Sequence, residues 1–315
     1  MTNCINTSAL TKRYPSQKGE NQPALDSVDL RVEAGQLYGL VGPDGAGKTT
    51  LLRILATVLA PTSGSASLAG FDVMKQPEEV RGRLGYMPQA FSLYPDLSVM
   101  ENLQFFGELN GVPRDKQKTR IEELLEFARL TDFTKRRSEN LSGGMRKKLA
   151  LACALLHEPE ILLLDEPTTG VDPVSRRELW QLLARVIDRG VTVLVSTPYM
   201  DEAEKCDFVS IIYQGKLLIS GTPKELENQN PYQILEVKAK PRSILREVAD
   251  HTEGVLSWRA VGDRLRLSVT NVLEAKEKIE NGLKEAGAEI SILREARVSM
   301  EDIFIDLVEK QARRE

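Results

Sequence analysis

The chain is poor in cysteine and histidine. Its 315 residues include three cysteines and two histidines. Cys4, Cys153 and Cys206 show no paired spacing, which argues against a disulfide framework or a zinc site and favours a reducing compartment. His157 and His251 are far apart in the sequence, so a histidine metal cluster is not expected.

Long apolar runs and an excess of positive charge are also absent. No stretch approaches the roughly 18 apolar residues that span a bilayer, and residues 1–14 lack the apolar core of a signal peptide. Any membrane attachment is therefore expected to come through a partner. The 42 basic and 46 acidic residues give a net charge of −4, which argues against a general nucleic-acid binder.

The apolar residues that are present form short runs separated by helical patterns. The runs at 37–42, 161–166 and 191–197 each end at a polar or glycine-bearing turn. Such runs are typical of strands buried on both faces of a parallel sheet, which predicts the α/β class. Residues from about 90 to 157 contain two helical patterns and no strand candidate, so they are interpreted as a helical insertion.

A second unit is predicted from about residue 229 to the end of the chain. The strand patterns there are 232–240, 255–260, 265–270 and 289–296, and the helical patterns are 241–251 and 271–286. The order βαββαβ predicts a small ferredoxin-like α+β module, closed by a helix over 299–313. The predicted domains are therefore 1–228, containing the helical subdomain, and 229–315.

Residues 42–50 form a glycine-rich loop between a predicted strand and a predicted helix. They fit the pattern G-x-x-x-x-G-K-[ST] in full. Backbone N–H groups in such a loop close around phosphates, and the helix N-terminus adds partial positive charge. Lysine then reaches the β- and γ-phosphates, and the following threonine holds Mg²⁺. The predicted nucleotide-binding residues here are Gly42, Pro43, Asp44, Gly45, Ala46, Gly47, Lys48, Thr49 and Thr50.

Two carboxylates follow the predicted strand at 161–166. Ligands in open α/β sheets lie at the carboxyl ends of the strands. Asp165 is therefore predicted to hold Mg²⁺ together with Thr49. Glu166 is predicted to be the general base that polarises the attacking water.

Residues 141–145, Leu-Ser-Gly-Gly-Met, resemble the LSGGQ signature of the ATP-binding cassette (ABC) family. Ser142, Gly143 and Gly144 would form an anion site at the start of the following helix. The resemblance also implies that Tyr14 stacks on adenine, that Gln89 touches Mg²⁺ and water and takes part in catalysis with Lys48 and Glu166, and that Asp172 is the aspartate of the D-loop.

The resemblance covers about residues 5–225 and implies a P-loop ATPase core with an antiparallel β subdomain and a helical insertion. Within the family, the chain looks most like bacterial cassettes that export drugs, antibiotics or ions. It implies an ATP-hydrolysing subunit that pairs head to tail with a second cassette and drives integral membrane permease subunits. Such a subunit would be cytoplasmic and peripheral on the inner face of the cell membrane, with no nucleic acid expected as a partner.

The pattern departs from the family at one catalytic position. The family has a histidine after the last core strand, and this chain has Pro198, expected at the first position of the next helix. The loss should slow hydrolysis, so a regulatory subunit with weak or no hydrolysis stays open as an alternative. A non-transport ABC ATPase is a second alternative. Asp44 and Met145 also replace the usual asparagine and glutamine.

Overall fold

The computed structural model describes residues 3–15, 23–90 and 92–312. The chain divides into two units, Met1–Pro223 and Lys224–Glu315. The predicted boundary between 228 and 229 lies at the end of the short helix Pro223–Asn228, whereas the division lies at its start. No helix among the described residues is long and apolar enough to cross a membrane.

The first unit combines two sheets and a set of helices. Its strands are β1 (Asn3–Lys12), β2 (Leu25–Val28), β3 (Arg31–Glu33), β4 (Leu37–Val41), β5 (Ser63–Leu68), β6 (Phe71–Asp72), β7 (Leu84–Met87), β8 (Ile161–Asp165), β9 (Thr192–Thr197), β10 (Phe208–Tyr213) and β11 (Lys216–Gly221). Its helices are α1 (Lys48–Leu55), α2 (Pro77–Arg81), α3 (Val99–Leu109), α4 (Arg114–Ala128), α5 (Gly143–Ala154), α6 (Pro173–Ile187), α7 (Met200–Ala203) and α8 (Pro223–Asn228), the last of which continues into the second unit.

The central sheet has the order β11-β10-β4-β9-β8-β7. All neighbours are parallel except β11, which pairs antiparallel with β10. Every residue of β4, β8 and β9 is buried, as expected for strands covered on both faces. The predicted α/β core is confirmed, and the carboxyl ends of β4, β7, β8 and β9 meet at one edge.

The second sheet of this unit is antiparallel and built around β1. That strand pairs with β2, β3 and β5, and β5 continues to β6. Ile5, Leu10 and Leu68 point into one buried cluster with residues of α1. The same cluster includes Leu40 and Leu163 of the central sheet, so α1, the helix that follows the glycine-rich loop, is packed against both sheets.

The helical insertion consists of α3, α4 and α5 and connects β7 with β8. The apolar face of α4 is buried, at Ile121, Leu124, Leu125 and Ala128. Helix α5 begins at residue 143, so Ser142, Gly143 and Gly144 lie at its start as predicted. The Ser142 side chain accepts a hydrogen bond from the Met145 N–H and caps the helix.

The second unit contains β12 (Gln233–Lys240), α9 (Arg242–His251), β13 (Val255–Val261), β14 (Arg264–Val269), α10 (Val272–Glu285), β15 (Glu289–Ala296) and α11 (Met300–Ala312). Its sheet has the order β13-β14-β12-β15 with all neighbours antiparallel. Residues of β12, α9 and α10 share one apolar core. This is the predicted βαββαβ arrangement; Arg313, the predicted end of the last helix, lies outside the described residues.

Candidate functional site

The glycine-rich loop wraps around the ammonium group of its own lysine. Lys48 begins α1 and is only 3% exposed. Its Nζ donates to the carbonyls of Gly42 and Pro43, at 2.9 and 3.0 Å. Glycine is required at both ends of the loop. A Cβ at Gly42 would meet the Ile212 carbonyl, and Gly47 has a φ of 109°.

The three residues predicted to be catalytic lie in one contact group. Lys48 Nζ is 3.3 Å from Glu166 Oε1. Gln89 Nε2 donates to Glu166 Oε2 at 2.8 Å. Glu166 is 4% exposed. The structure therefore brings the ends of β4, β7 and β8 to a single buried carboxylate.

Asp165 is completely buried and only half satisfied. Its Oδ1 accepts hydrogen bonds from Thr49 Oγ1 at 3.1 Å and from Ser196 Oγ at 2.7 Å. Its Oδ2 has no hydrogen-bond partner among the described residues. Burial raises the pKa of Asp165, against the lowering effect of the hydrogen bonds from Ser196 and Thr49.

An orphaned carboxylate oxygen beside a threonine hydroxyl fits a hard, oxygen-binding cation such as Mg²⁺. No group of three or more His, Cys, Asp or Glu suited to a metal occurs in the described ranges. Mg²⁺ sites of this kind use one or two protein ligands and complete the shell with water and substrate phosphates. The Gln89 amide nitrogen is committed to Glu166, which leaves its amide oxygen as the atom for the predicted metal contact.

Comparisons with known proteins identify the family of this chain. A model described as "ABC transporter" matches residues 25–169. A second, described as "ATP-binding protein DrrA1-3-like, C-terminal domain", matches residues 221–308. The daunorubicin resistance ATP-binding protein DrrA3 of Streptomyces coeruleorubidus is 36% identical over 311 residues, which cover 96% of this chain and 95% of DrrA3. The chain belongs to the ABC transporter ATP-binding protein family.

Other relatives of this ABC protein differ in length. The probable multidrug ABC transporter ATP-binding protein YbhF of Escherichia coli (strain K12) is 42% identical over 312 residues, 96% of this chain and 52% of YbhF. The chain thus spans about half of the length of YbhF. The ATP-binding cassette MJ0796, in a dimeric post-hydrolysis state bound to ADP and Pi, superposes with a TM-score of 0.64 at 27% identity, over 69% of this chain and 98% of that one.

The ABC signature segment lies at the N-terminus of α5. A Cβ at Gly144 would collide with the Ser175 side chain at the start of α6, so glycine is needed there for close packing. Asp172, the predicted D-loop aspartate, caps α6 by accepting hydrogen bonds from two N–H groups. Within the described residues, no hydrogen bond or ion pair joins Ser142, Gly143 or Gly144 to the loop at 42–50.

Tyr14, predicted to stack on adenine, lies beside the phosphate loop of the cassette. Its hydroxyl is 3.4 Å from Thr50 Oγ1, in the first turn of α1. Tyr14 is 46% exposed, and the Lys12 ammonium lies over its ring, 5.4 Å from the centroid. Between the two glycines of the loop, the structure places Pro43, Asp44, Gly45 and Ala46 in a turn whose tip, at Asp44 and Gly45, is exposed.

Pro198 lies between β9 and α7 and is half-buried. The prediction that Pro198 is the first residue of the next helix is wrong, because α7 begins at Met200. The chain turns first: the Tyr199 N–H donates to Thr197 Oγ1 at 3.1 Å. His157, the one histidine in the sequence of the first unit, contacts the Leu84 carbonyl through Nε2 at 3.1 Å.

Several residues that support the site escaped the sequence analysis. Ser196 holds Asp165, Thr169 Oγ1 donates to Glu166 Oε2 at 3.2 Å, and Lys147 contacts the backbone of Gln89 and Glu166. In the sequence, there is a reason to consider only Ser196 and Thr169, because these two residues neighbour recognised motifs. Lys147 is one of several basic residues in a helix, and nothing in the sequence distinguishes it from the others.

Proposed function

We propose that this chain is the ATP-binding and ATP-hydrolysing subunit of an ABC exporter, converting ATP and water to ADP and phosphate. The observation that supports this proposal most directly is that three groups lie together at one edge of the sheet: the phosphate-loop lysine, the Asp165 oxygen without a hydrogen-bond partner among the described residues, and the Glu166 carboxylate. The names of its relatives describe multidrug transport, daunorubicin resistance and Nod factor export, which supports an export role.

The binding step follows from the loop and α1. Backbone N–H groups at 42–50 and the N-terminus of α1 attract the phosphates of ATP. Lys48 now contacts Glu166 Oε1, and a triphosphate offers it a more negative partner. Thr49 and Asp165 would hold Mg²⁺, with Gln89 nearby. When bound, Mg²⁺ neutralises charge that develops on the phosphates.

The hydrolytic step is assigned to Glu166 as general base. Its Oε2 accepts hydrogen bonds from Gln89 and Thr169, which orient the carboxylate. Departure of Lys48 toward the phosphates leaves Oε1 free to accept a proton from water. Pro198 offers no side-chain donor at the position of the family histidine. A charge-assisted hydrogen bond is worth about 1.5–3 kcal/mol, so its loss should slow hydrolysis without abolishing it.

A second ABC cassette is the first proposed partner. Ser142, Gly143 and Gly144 are not joined to the phosphate loop of their own chain, and Ser142 with the N-terminus of α5 offers donors for an anion. The proposal is a head-to-tail pair in which each signature segment faces the ATP held by the other chain. A related cassette, MJ0796, is described as dimeric.

Integral membrane permease subunits are the second proposed partner. The helical insertion carries an aromatic cluster of Tyr94, Phe105 and Phe106, with ring centroids 4.6 Å apart for Tyr94–Phe105 and 5.6 Å for the two phenylalanines. Tyr94 is 47% exposed and Leu109, at the end of α3, is 67% exposed. Exposed aromatic residues are typical anchors of protein interfaces. Such docking would place the chain on the cytoplasmic face of the cell membrane.

The deciding experiment compares Mg²⁺-dependent ATP hydrolysis by the full chain with that of Glu166→Gln and Pro198→His. A wild-type rate well above the Glu166→Gln background supports the proposed ATPase. A rate equal to that background, with ATP still bound, contradicts it. Rescue by Pro198→His would then favour the alternative, a regulatory cassette that closes on ATP and hydrolyses little, because proline alone would be the missing element.

The partner proposal has its own test. Affinity purification of the tagged chain from membranes should retain a multi-spanning protein, and replacing Tyr94 and Phe105 by serine should reduce that retention. Lys310→Ser, in the second unit, serves as a surface control. Co-sedimentation with ribosomes in place of a membrane protein would instead favour a non-transport ABC ATPase.

A further inference from the structure

A buried lysine lies where the signature helix meets the two catalytic strand ends. Lys147 belongs to the first turns of α5 and is 3% exposed. Its Nζ lies 3.2 Å from the Gln89 carbonyl oxygen and 3.4 Å from the Glu166 carbonyl oxygen. One ammonium group therefore bridges the backbone after β7, the backbone after β8 and helix α5.

The backbone at Glu166 needs such support. Its φ is +48°, in the left-handed region that non-glycine residues seldom occupy. A residue of this kind costs about 1–3 kcal/mol and persists only when its surroundings fix it. The Glu166 N–H is held by Ser196, whose Oγ is 3.0 Å away, and the Glu166 carbonyl is held by Lys147. The peptide groups on both sides of Glu166 are thereby fixed.

The side chains above this backbone are the proposed base and its partner. Gln89 Nε2 donates to Glu166 Oε2 at 2.8 Å. Because Lys147 contacts the carbonyls of both residues, it sets the separation of the two backbones that carry this hydrogen bond. Burial lowers the pKa of Lys147, and the neighbouring charges of Asp165 and Glu166 oppose that shift, so the burial of this amine is matched by acceptors and negative charge.

We propose that Lys147 is a positioning residue for ATP hydrolysis: it holds Glu166 in its left-handed conformation and fixes Gln89 beside it, linking both to the signature helix. The proposal rests on the proposed function, in which Glu166 is the base. Lys147 touches neither substrate nor metal in this scheme. It acts through the placement of Glu166.

The neighbouring residue provides a matched control. Lys148 lies on the same helix, is 8% exposed, and pairs with Glu178 at 2.7 Å, away from Gln89 and Glu166. Lys147→Met and Lys148→Met each remove one buried ammonium group and keep most of the length of the unbranched side chain. A purely structural role of buried lysines in α5 would give both variants the same behaviour.

The first measurement separates binding from chemistry in the full chain. Lys147→Met should lower kcat by about 10- to 100-fold, since a displacement of about 1 Å in a catalytic group has an effect of this size, with the ATP dissociation constant little changed. Lys148→Met should keep kcat. Lys147→Arg retains donors for both carbonyls and should recover most of the lost rate. In a Glu166→Gln background, Lys147→Met should add almost nothing, because the group it positions is already gone.

The second measurement does not depend on hydrolysis. Amide hydrogen exchange of residues 165–169, without nucleotide, should be at least about tenfold faster in Lys147→Met than in Lys148→Met, as expected when a local structural constraint is lost. Equal exchange in the two variants would overturn the positioning role. So would an equal loss of kcat in wild-type and Glu166→Gln backgrounds. Absence of wild-type hydrolysis would contradict the proposed function alone, and the exchange result would still decide the role of Lys147.

Discussion

Each of the two units buries an aspartate, and the two carboxylates have opposite surroundings. Asp165, in the first unit, has one oxygen without a hydrogen-bond partner among the described residues. Asp302, in the second, accepts hydrogen bonds on both oxygens: Arg259 Nε lies 2.8 Å from Oδ1, and an Arg266 guanidinium nitrogen lies 2.6 Å from Oδ2. The Ser299 N–H also donates to Oδ2 at 2.9 Å.

The pKa values of the two residues follow from this difference. Burial raises the pKa of Asp165, and hydrogen bonds from Ser196 and Thr49 reverse it only in part. Burial also opposes ionisation of Asp302, but hydrogen bonds from Arg266, Ser299 and Arg259 outweigh it, so the pKa of Asp302 is lowered. The fold thus stabilises the charge on Asp302 by itself. The charge on Asp165 is compensated less by its surroundings, which is the difference expected between a structural carboxylate and the proposed Mg²⁺ ligand.

The largest predicted effect is the loss of the Asp302 charge. Asp302→Asn leaves Arg259 and Arg266 without their buried partner. Removing one member of a buried ion pair costs about 3–5 kcal/mol, and the free energy of unfolding of the second unit should fall by that amount. Hydrogen exchange of β12 and α11 in the full chain, at increasing urea concentration, measures this change in the free energy of unfolding. Asp306→Asn, which breaks a surface pair with Lys310, should change stability by less than about 1 kcal/mol; equal effects of the two variants would contradict the prediction.

Acid should remove from the wild type the stabilisation that the ionised Asp302 carboxylate provides. Because the folded-state pKa of Asp302 is lowered, its contribution is present above the unfolded value of about 3.9 and is lost as pH falls through the lower folded value. The difference in unfolding free energy between the wild type and Asp302→Asn should therefore shrink between neutral pH and about pH 2. Urea unfolding of both proteins across this range provides the test. A difference that stays constant would show that Asp302 is not held ionised by the fold.

The sequence predicted the fold wherever periodicity or a motif was strong. The three buried strands of the central sheet, the helical insertion and the βαββαβ unit were all recognisable as patterns. The antiparallel sheet around β1 was expected only from the family resemblance, because strands such as β1 are rich in polar residues and show no clear alternation. The start of α7 lies two residues later than predicted, since the chain first forms a turn in which Thr197 Oγ1 accepts a hydrogen bond from the Tyr199 N–H.

The candidate site was predictable only in part, for a related reason. Motifs identify residues that would touch ATP or the attacking water, such as Lys48 and Glu166. They do not identify residues that contact those from another element. Lys147 donates hydrogen bonds to the backbone of Gln89 and Glu166, which are far from it in the sequence, and such contacts leave no local pattern.

For Asp165 we expect a change in unfolding free energy opposite in sign to that of Asp302→Asn, because one oxygen of Asp165 has no hydrogen-bond partner among the described residues. Without Mg²⁺ and nucleotide, Asp165→Asn should leave the unfolding free energy of the first unit unchanged or raise it by about 1 kcal/mol, because a poorly compensated buried charge is removed next to Glu166. Hydrogen exchange of β8 and β9 measures this stability, and the same variant should lose Mg²⁺-dependent hydrolysis. A loss of stability similar to that of Asp302→Asn would remove the contrast between the two aspartates.

The smallest predicted effect concerns two similar helix caps. At α11, Ser299 Oγ donates to Asp302 Oδ2 at 2.7 Å and accepts from the Asp302 N–H. At α3, Ser98 and Glu101 form a capping box in which the glutamate is exposed. Loss of such a cap typically costs about 1 kcal/mol. Ser299→Ala should therefore cost about 1 kcal/mol and Ser98→Ala less, because only Asp302 is also buried between two arginines. Urea-dependent hydrogen exchange of α11 and α3 compares the two losses; a larger loss at Ser98 would show that the ion pairs hold α11 without the cap.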